Sequence, residues 1–259
     1  MVTATSTSPS SAAPYWELSS RPLVSLAFIA PLIAAYEVGV LTLGDGASRN
    51  GADVWLRSLL SLAGFGQYIL LPVLVCGILL AWHHARRDPW QIDGRVVGTM
   101  WLESAVLALG LILVAQTLAG LAAGSSEPNP RLVAQPAGGT AWTARLIGYL
   151  GAGIYEELLF RMLLLPLAIA LLQRAGLNRR PSAAMAIVAT SLLFAAAHYQ
   201  YDFTLLGMHF AAPRGDAFDW FSFLFRFAAG SVFALLFALR GFGIAAGTHA
   251  LYDLLVLVA

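Results

Sequence analysis

The sequence predicts an all-α, polytopic transmembrane helix bundle of about seven spans, with six to eight as the range. Composition is the first reason. Of 259 residues, 59% are hydrophobic and only 11% are charged, with a mean hydropathy of +0.74. A soluble domain carries about 25% charged residues, so this chain has too little charge to cover a water-facing surface. The second reason is the distribution: the apolar residues gather in stretches near the roughly 20 residues that a spanning helix needs. Polar, arginine-bearing segments separate these stretches, which is the third.

The N-terminal tail is placed at residues 1–20. Met1–Pro14 is rich in Ser, Thr, Ala and Pro and is expected to be disordered. Met1–Pro14 lacks the basic start of a signal peptide, and the apolar run after Arg21 is long enough to span, so it reads as a retained helix. Seven apolar stretches follow: Leu23–Leu43, Tyr68–Trp82, Thr99–Ala123, Trp142–Gln173, Ser182–Tyr199, Trp220–Leu239 and Phe242–Val258. The fourth is too long for one straight span. Its Gly148, Gly151 and Gly153 point to a break, with the true span beginning near Ile154. Between the first two stretches, Gly51–Gly64 reads as an interfacial amphipathic helix with Trp55 and Arg57 near the surface. The breaker-rich Gly124–Thr140 reads as a polar loop. Residues 21–140 thus hold N-terminal spans and the interfacial helix, and residues 141–259 hold the candidate core.

All 15 basic residues are Arg, against 14 Asp and Glu, a formal net charge of +1. That balance gives no reason to expect a nucleic-acid partner. Cys76 is the single cysteine, so disulfides and Cys-based metal sites within the chain are excluded. Arginine bias sets the orientation. With the N-terminus inside, the inner segments hold Arg21, Arg86, Arg87, Arg95, Arg174, Arg179, Arg180 and Arg240. The outer ones hold Arg49, Arg57, Arg131 and Arg214, which favours N-in and C-out.

An ionisable group at mid-bilayer costs at least about 2.5 kcal/mol, so each one demands a reason. Glu37, Arg145, Glu156, Glu157, Arg161, His198, Arg226, His249 and Asp253 all fall within or at the ends of apolar runs. At about 100° per residue, Glu157 and Arg161 share a face and pair at i, i+4. Glu156 points elsewhere and keeps its carboxylate free. Phe194 and His198 share a face in the fifth stretch, as do His249 and Asp253 in the last. Alone, each pair has a bland reading, as a structural ion pair or an interfacial hydrogen bonder. Together, a free acid and two histidines on three spans are placed to converge on one water-filled cavity.

The chain resembles the CAAX prenyl protease and bacteriocin-processing (CPBP) family of intramembrane proteases. The family's EExxxR, FxxxH and terminal HxxxN signatures read here as Glu156-Glu157…Arg161, Phe194…His198 and His249…Asp253, in the family's order. The resemblance runs from about Trp142 to the C-terminus. It implies a conical catalytic cavity inside the bilayer and a glutamate-type endopeptidase with no bound metal. By position, Glu156 is then the general base, His198 shares and orients its water, and His249 helps stabilise the oxyanion. Glu157 and Arg161, with Phe194, support the site's shape. The departure is Asp253. An Asn there donates an amide N–H, whereas an ionised Asp only accepts. Asp253 is therefore expected to accept a hydrogen bond from His249, whose imidazolium then donates alone.

The same ligand types also suit Zn²⁺; no HExxH is present, and a zinc protease is the runner-up. A non-proteolytic membrane immunity or regulatory protein is the alternative from another class, although mere binding needs no base. A proton-coupled transporter is a third, but no internal repeat is visible. The expected partners are membrane lipid and a peptide or protein with a membrane-proximal cleavage site. The expected location is a prokaryotic cell (inner) membrane.

Overall fold

A computed structural model describes residues 13–47, 49–66, 69–123, 140–205, 208–212 and 215–258. Every apolar stretch predicted as a span contains a helix among the described residues. The helices are α1 (Tyr15–Ser19), α2 (Pro22–Leu43), α3 (Gly51–Leu62), α4 (Leu70–Arg86), α5 (Gly94–Ala123), α6 (Thr140–Gly151), α7 (Leu165–Arg174), α8 (Arg179–Ala196), α9 (Trp220–Arg240) and α10 (Phe242–Val258). Three of them, α2, α5 and α9, are long and apolar enough to cross a membrane, while α4 and α10 are shorter apolar helices. At 1.5 Å per residue, the 30 residues of α5 extend about 45 Å. That exceeds the roughly 30 Å of hydrocarbon, so α5 must tilt or protrude. Its exposed Leu102, Leu113 and Leu121 have no protein partner face to cover them and belong against lipid.

The expected tail at residues 1–20 falls mostly outside the described residues, but Tyr15–Ser19 forms α1. The helix is fastened at its end. Arg240 donates to Glu103, to the Ser19 hydroxyl and to the Trp16 carbonyl, and its guanidinium lies 3.9 Å from the Trp16 ring centroid. Burial and the neighbouring Glu103 carboxylate push the Tyr15 phenol above its ordinary range. The polar loop expected at Gly124–Thr140 lies outside the described residues except for Thr140, which begins α6.

The break expected at Gly148–Gly153 is absent. The backbone runs from α6 into α7 without leaving helical geometry, through π-helical turns at Ala152–Glu156 and Leu158–Leu164. The glycines serve close approach instead. A Cβ on Gly151 would run into the Tyr36 ring of α2, and one on Gly153 would stand 2.5 Å from the Ala250 backbone nitrogen of α10. Each π turn inserts a residue into the ladder, a feature frequent at functional sites. Here the turns bracket Glu157 and place Glu156 at the end of the first.

α10 is the central element, packed against α2, α5, α6, α9 and the π segment. Phe242 to Ala250 is buried without interruption. Gly241, at φ +84°, makes the turn from α9 into α10 against the Ser20 backbone, where a side chain would be strained as well as crowded. One element was not foreseen. Between α8 and α9, β1 (Tyr201–Leu205) and β2 (Met208–Ala212) form an antiparallel hairpin, with Tyr199 bridging to Asp216 beside it.

Candidate active site

α3 buries Ala52, Asp53 and Leu56 and leaves Val54, Trp55, Leu59 and Leu62 exposed, as an interfacial helix would. Asp53, fully buried, accepts from Tyr36, Arg49 and Arg57. Arg57 also donates to Glu37, which accepts from the Tyr155 hydroxyl. Arg57 thus stays near the surface but is tied inward by two carboxylates. Glu37 also finds its reason here: it joins α2, α3 and the π segment. This network presses the start of α3 onto the π turns, one residue from Glu156.

All seven of the expected site residues then meet. Glu156 is 8% exposed and Glu157 fully buried. Nε2 of His198, from the turn after α8, lies 3.6 Å from Glu156 Oε2, and Nε2 of His249 lies 3.9 Å from the same oxygen. Both gaps exceed direct hydrogen-bond reach. Glu156 Oε2 has no hydrogen-bond partner among the described residues. The other oxygen is engaged: Oε1 accepts from Asn50 Nδ2 at 2.8 Å. The carboxylate expected to be free is therefore free on one side only. Asn50 is the residue that sequence reasoning missed. An Asn before an amphipathic helix signals an N-cap, but nothing in the sequence ties it to an acid 106 positions away.

His198 Nδ1 lies 2.8 Å from the Phe194 carbonyl. A carbonyl only accepts, so Nδ1 carries the hydrogen, and in the neutral ring Nε2 is left bare toward Glu156. His249 Nδ1 donates to Glu157 Oε1 at 2.9 Å. Its Nε2 lies 3.6 Å from Asp253 Oδ2, so the direct His249–Asp253 hydrogen bond expected from sequence is not made. Glu157 takes that role, because it comes through the π turn from the opposite wall. Glu157 also faces Arg161, with Nε 3.2 Å from Oε2. That contact is an ion pair outside hydrogen-bond geometry, since both atoms lack a hydrogen-bond partner. Arg161 makes its aligned bond to the Gly230 carbonyl of α9 and stacks 4.4 Å from the Phe194 ring centroid. Phe194 in turn meets the rings of both His198 and His249, and Phe233 stacks flat on His249 at 4.5 Å.

A cavity of about 300 Å³ opens onto this cluster, lined among others by Asn50, Trp55, Glu156, Phe160, His198 and Asp216. An apolar groove of about 600 Å³ adjoins it, sharing Trp55, Phe160 and Ala197. Asp216, at the mouth, is held by Arg226 of α9.

Three acid- and histidine-bearing motifs, brought together by α10 and the π turns, have a counterpart among known families. The model of the type II CAAX prenyl endopeptidase, Rce1-like family matches residues 138–255. Over that stretch the chain is Rce1-like. This is a peptidase family, and the match spans all three motifs while stopping short of α3. With the long apolar helices, the Rce1-like match identifies an integral membrane protein. No curated protein and no solved structure matches the chain.

Proposed function

We propose that this protein is an intramembrane endopeptidase that hydrolyses a peptide bond of a membrane-proximal or lipid-modified substrate, using a water activated by Glu156. The observation that carries the reading is Glu156 Oε2. A buried carboxylate oxygen needs a partner, and this one faces two imidazole nitrogens at 3.6 and 3.9 Å across gaps suited to a bridging water. The Rce1-like match over the same residues supports it.

The chemistry follows from the hydrogen-bond roles. A water at Oε2 donates one hydrogen to Glu156 and the other to the bare Nε2 of His198. As its oxygen attacks the carbonyl carbon, Glu156 takes the proton. His249, as imidazolium, donates from Nε2 to the developing oxyanion, while Glu157 anchors its other nitrogen and Asp253 stands beside Nε2. Collapse of the tetrahedral intermediate breaks the C–N bond, and the proton on Glu156 passes to the leaving amine. Arg161 and Phe194 act at one remove, by fixing Glu157 and both rings.

Metal-free catalysis is part of the proposal. Among the described residues no group of three or more His, Cys, Asp or Glu is arranged to hold an ion. The apolar groove beside the polar cavity supports a substrate with a lipid or bulky apolar group next to its scissile bond. We place the protein in a prokaryotic cell membrane.

The test is cleavage by purified protein in liposomes of a quenched peptide bearing a farnesylated cysteine four residues from its C-terminus. Its unprenylated twin is run in parallel, and mass spectrometry identifies the products. Cleavage after the lipidated cysteine is the expected result. Failure to cut either peptide, at any site, would remove the reading.

A further inference from the structure

We infer that Asn50 is a positioning residue for Glu156, so that the candidate active site is completed by α3, outside the Rce1-like stretch. The inference deepens the peptidase reading and rests on it. The Asn50 side chain makes two bonds that fix each other. Its Oδ1 accepts from the Ala52 backbone N–H at 2.8 Å, capping α3, and this leaves Nδ2 as the end that reaches Glu156 Oε1 at 2.8 Å. An amide oriented by its own backbone cannot swap ends, so one carboxylate oxygen is always occupied. The other, Oε2, is then the Glu156 oxygen left to face the two histidines. The helix that carries Asn50 is itself immobilised through buried Asp53, bonded to Tyr36, Arg49 and Arg57, and through Glu37, bonded to Tyr155. Asn50 also lines the cavity beside Glu156 and His198. Without this donor the Glu156 carboxylate is free to rotate about its last bond, and its base oxygen no longer has one address.

Capping and positioning are separable by substitution, which makes the assignment testable. Ser and Asp are N-caps as good as Asn, but Ser is too short to reach Glu156 and Asp brings no hydrogen to donate. N50S is therefore expected to melt like the wild type, while kcat on the quenched farnesylated peptide falls about 10–100-fold, the range typical of lost supporting hydrogen bonds. KM should stay within about 2-fold, because substrate contacts are untouched. N50D, which sets a second carboxylate against buried Glu156, should lose activity and stability together. N50A should lose activity and some stability together. A purely capping role predicts the opposite ranking, with N50S fully active and only N50A impaired, and that result would overturn the inference. The contact is also read without turnover. A hydrophobic carbodiimide attacks the protonated carboxyl, so a Glu156 stripped of a donor to its anion should be modified several-fold faster in N50S, as scored by mass spectrometry. Equal rates of modification would sink the positioning role even if no peptide is cleaved. Failure of the wild type on every peptide, with faster labelling in N50S, would instead condemn the peptidase reading alone.

Discussion

Gly153→Ala tests how the site is assembled. The substitution adds one methyl group, and a Cβ at Gly153 would stand 2.5 Å from both the Ala250 nitrogen and its Cβ, and 2.7 Å from its Cα. Comfortable carbon contacts lie near 3.5–4.0 Å, so α10 and the π segment must separate by about 1 Å. The obstruction is largely backbone, and no rotamer change relieves it. Overpacking of this kind costs about 1–3 kcal/mol. The functional cost should be larger than the structural one. Ala250 follows His249 directly, so the displacement is passed to the imidazole that faces Glu156 and Glu157, and a misplacement of about 1 Å costs about 100-fold in rate. Peptide turnover and thermal melting, measured on the same detergent-purified samples, give both numbers. Gly77→Ala is the control, because nothing lies within 4 Å of a Cβ there. It should leave both unchanged. A G153A protein with wild-type melting and wild-type turnover would refute the packing of α10 on the π segment as the device that brings the histidine in.

Two further predictions follow from the buried charges. Arg161→Ala leaves Glu157 buried beside a histidine alone and removes the bond to the Gly230 carbonyl. Breaking a buried pair in this way costs about 3–5 kcal/mol, so folded yield in a fluorescence-detected size-exclusion profile should drop along with activity. Metal removal should do nothing: after prolonged treatment with a membrane-permeant chelator the purified protein should keep its peptidase activity, and elemental analysis should find less than one equivalent of transition metal. Stoichiometric zinc, lost with activity and restored with it, would reassign His198, His249 and the acids as ligands.

Much of this was legible in the sequence because the bilayer imposes a strong rule. Ionisable residues in apolar runs are expensive, and so Glu156, Glu157, Arg161, His198, His249 and Asp253 stood out before any coordinates. The elements followed from hydropathy in the same way, from α2 to α10. What escaped was whatever depended on register or distance. Hydropathy does not distinguish a break from a π turn, so Gly151 and Gly153 read as an interruption when they are points of close contact. The sequence identified α3 as amphipathic, but not that its Asp53 and Arg57 meet Tyr36 and Glu37 and its cap Asn50 meets Glu156. Spacing at i, i+4 paired His249 with Asp253, and the nearer partner proved to be Glu157 on another helix. The hairpin at Tyr201–Ala212 is short and carries no strong turn signal.

Glu156→Gln in the farnesylated-peptide assay tests the central claim most directly. The amide matches the carboxylate in shape, and its nitrogen or oxygen still fills the space beside Asn50, so the protein should insert, purify and melt normally. Only the ability to take a proton from water is lost, and general-base catalysis is worth about 10²–10⁴-fold. The account predicts a loss of turnover of at least that lower bound with KM little changed. Turnover within a few-fold of the wild type, in protein shown by mass spectrometry to carry Gln at position 156, would contradict it.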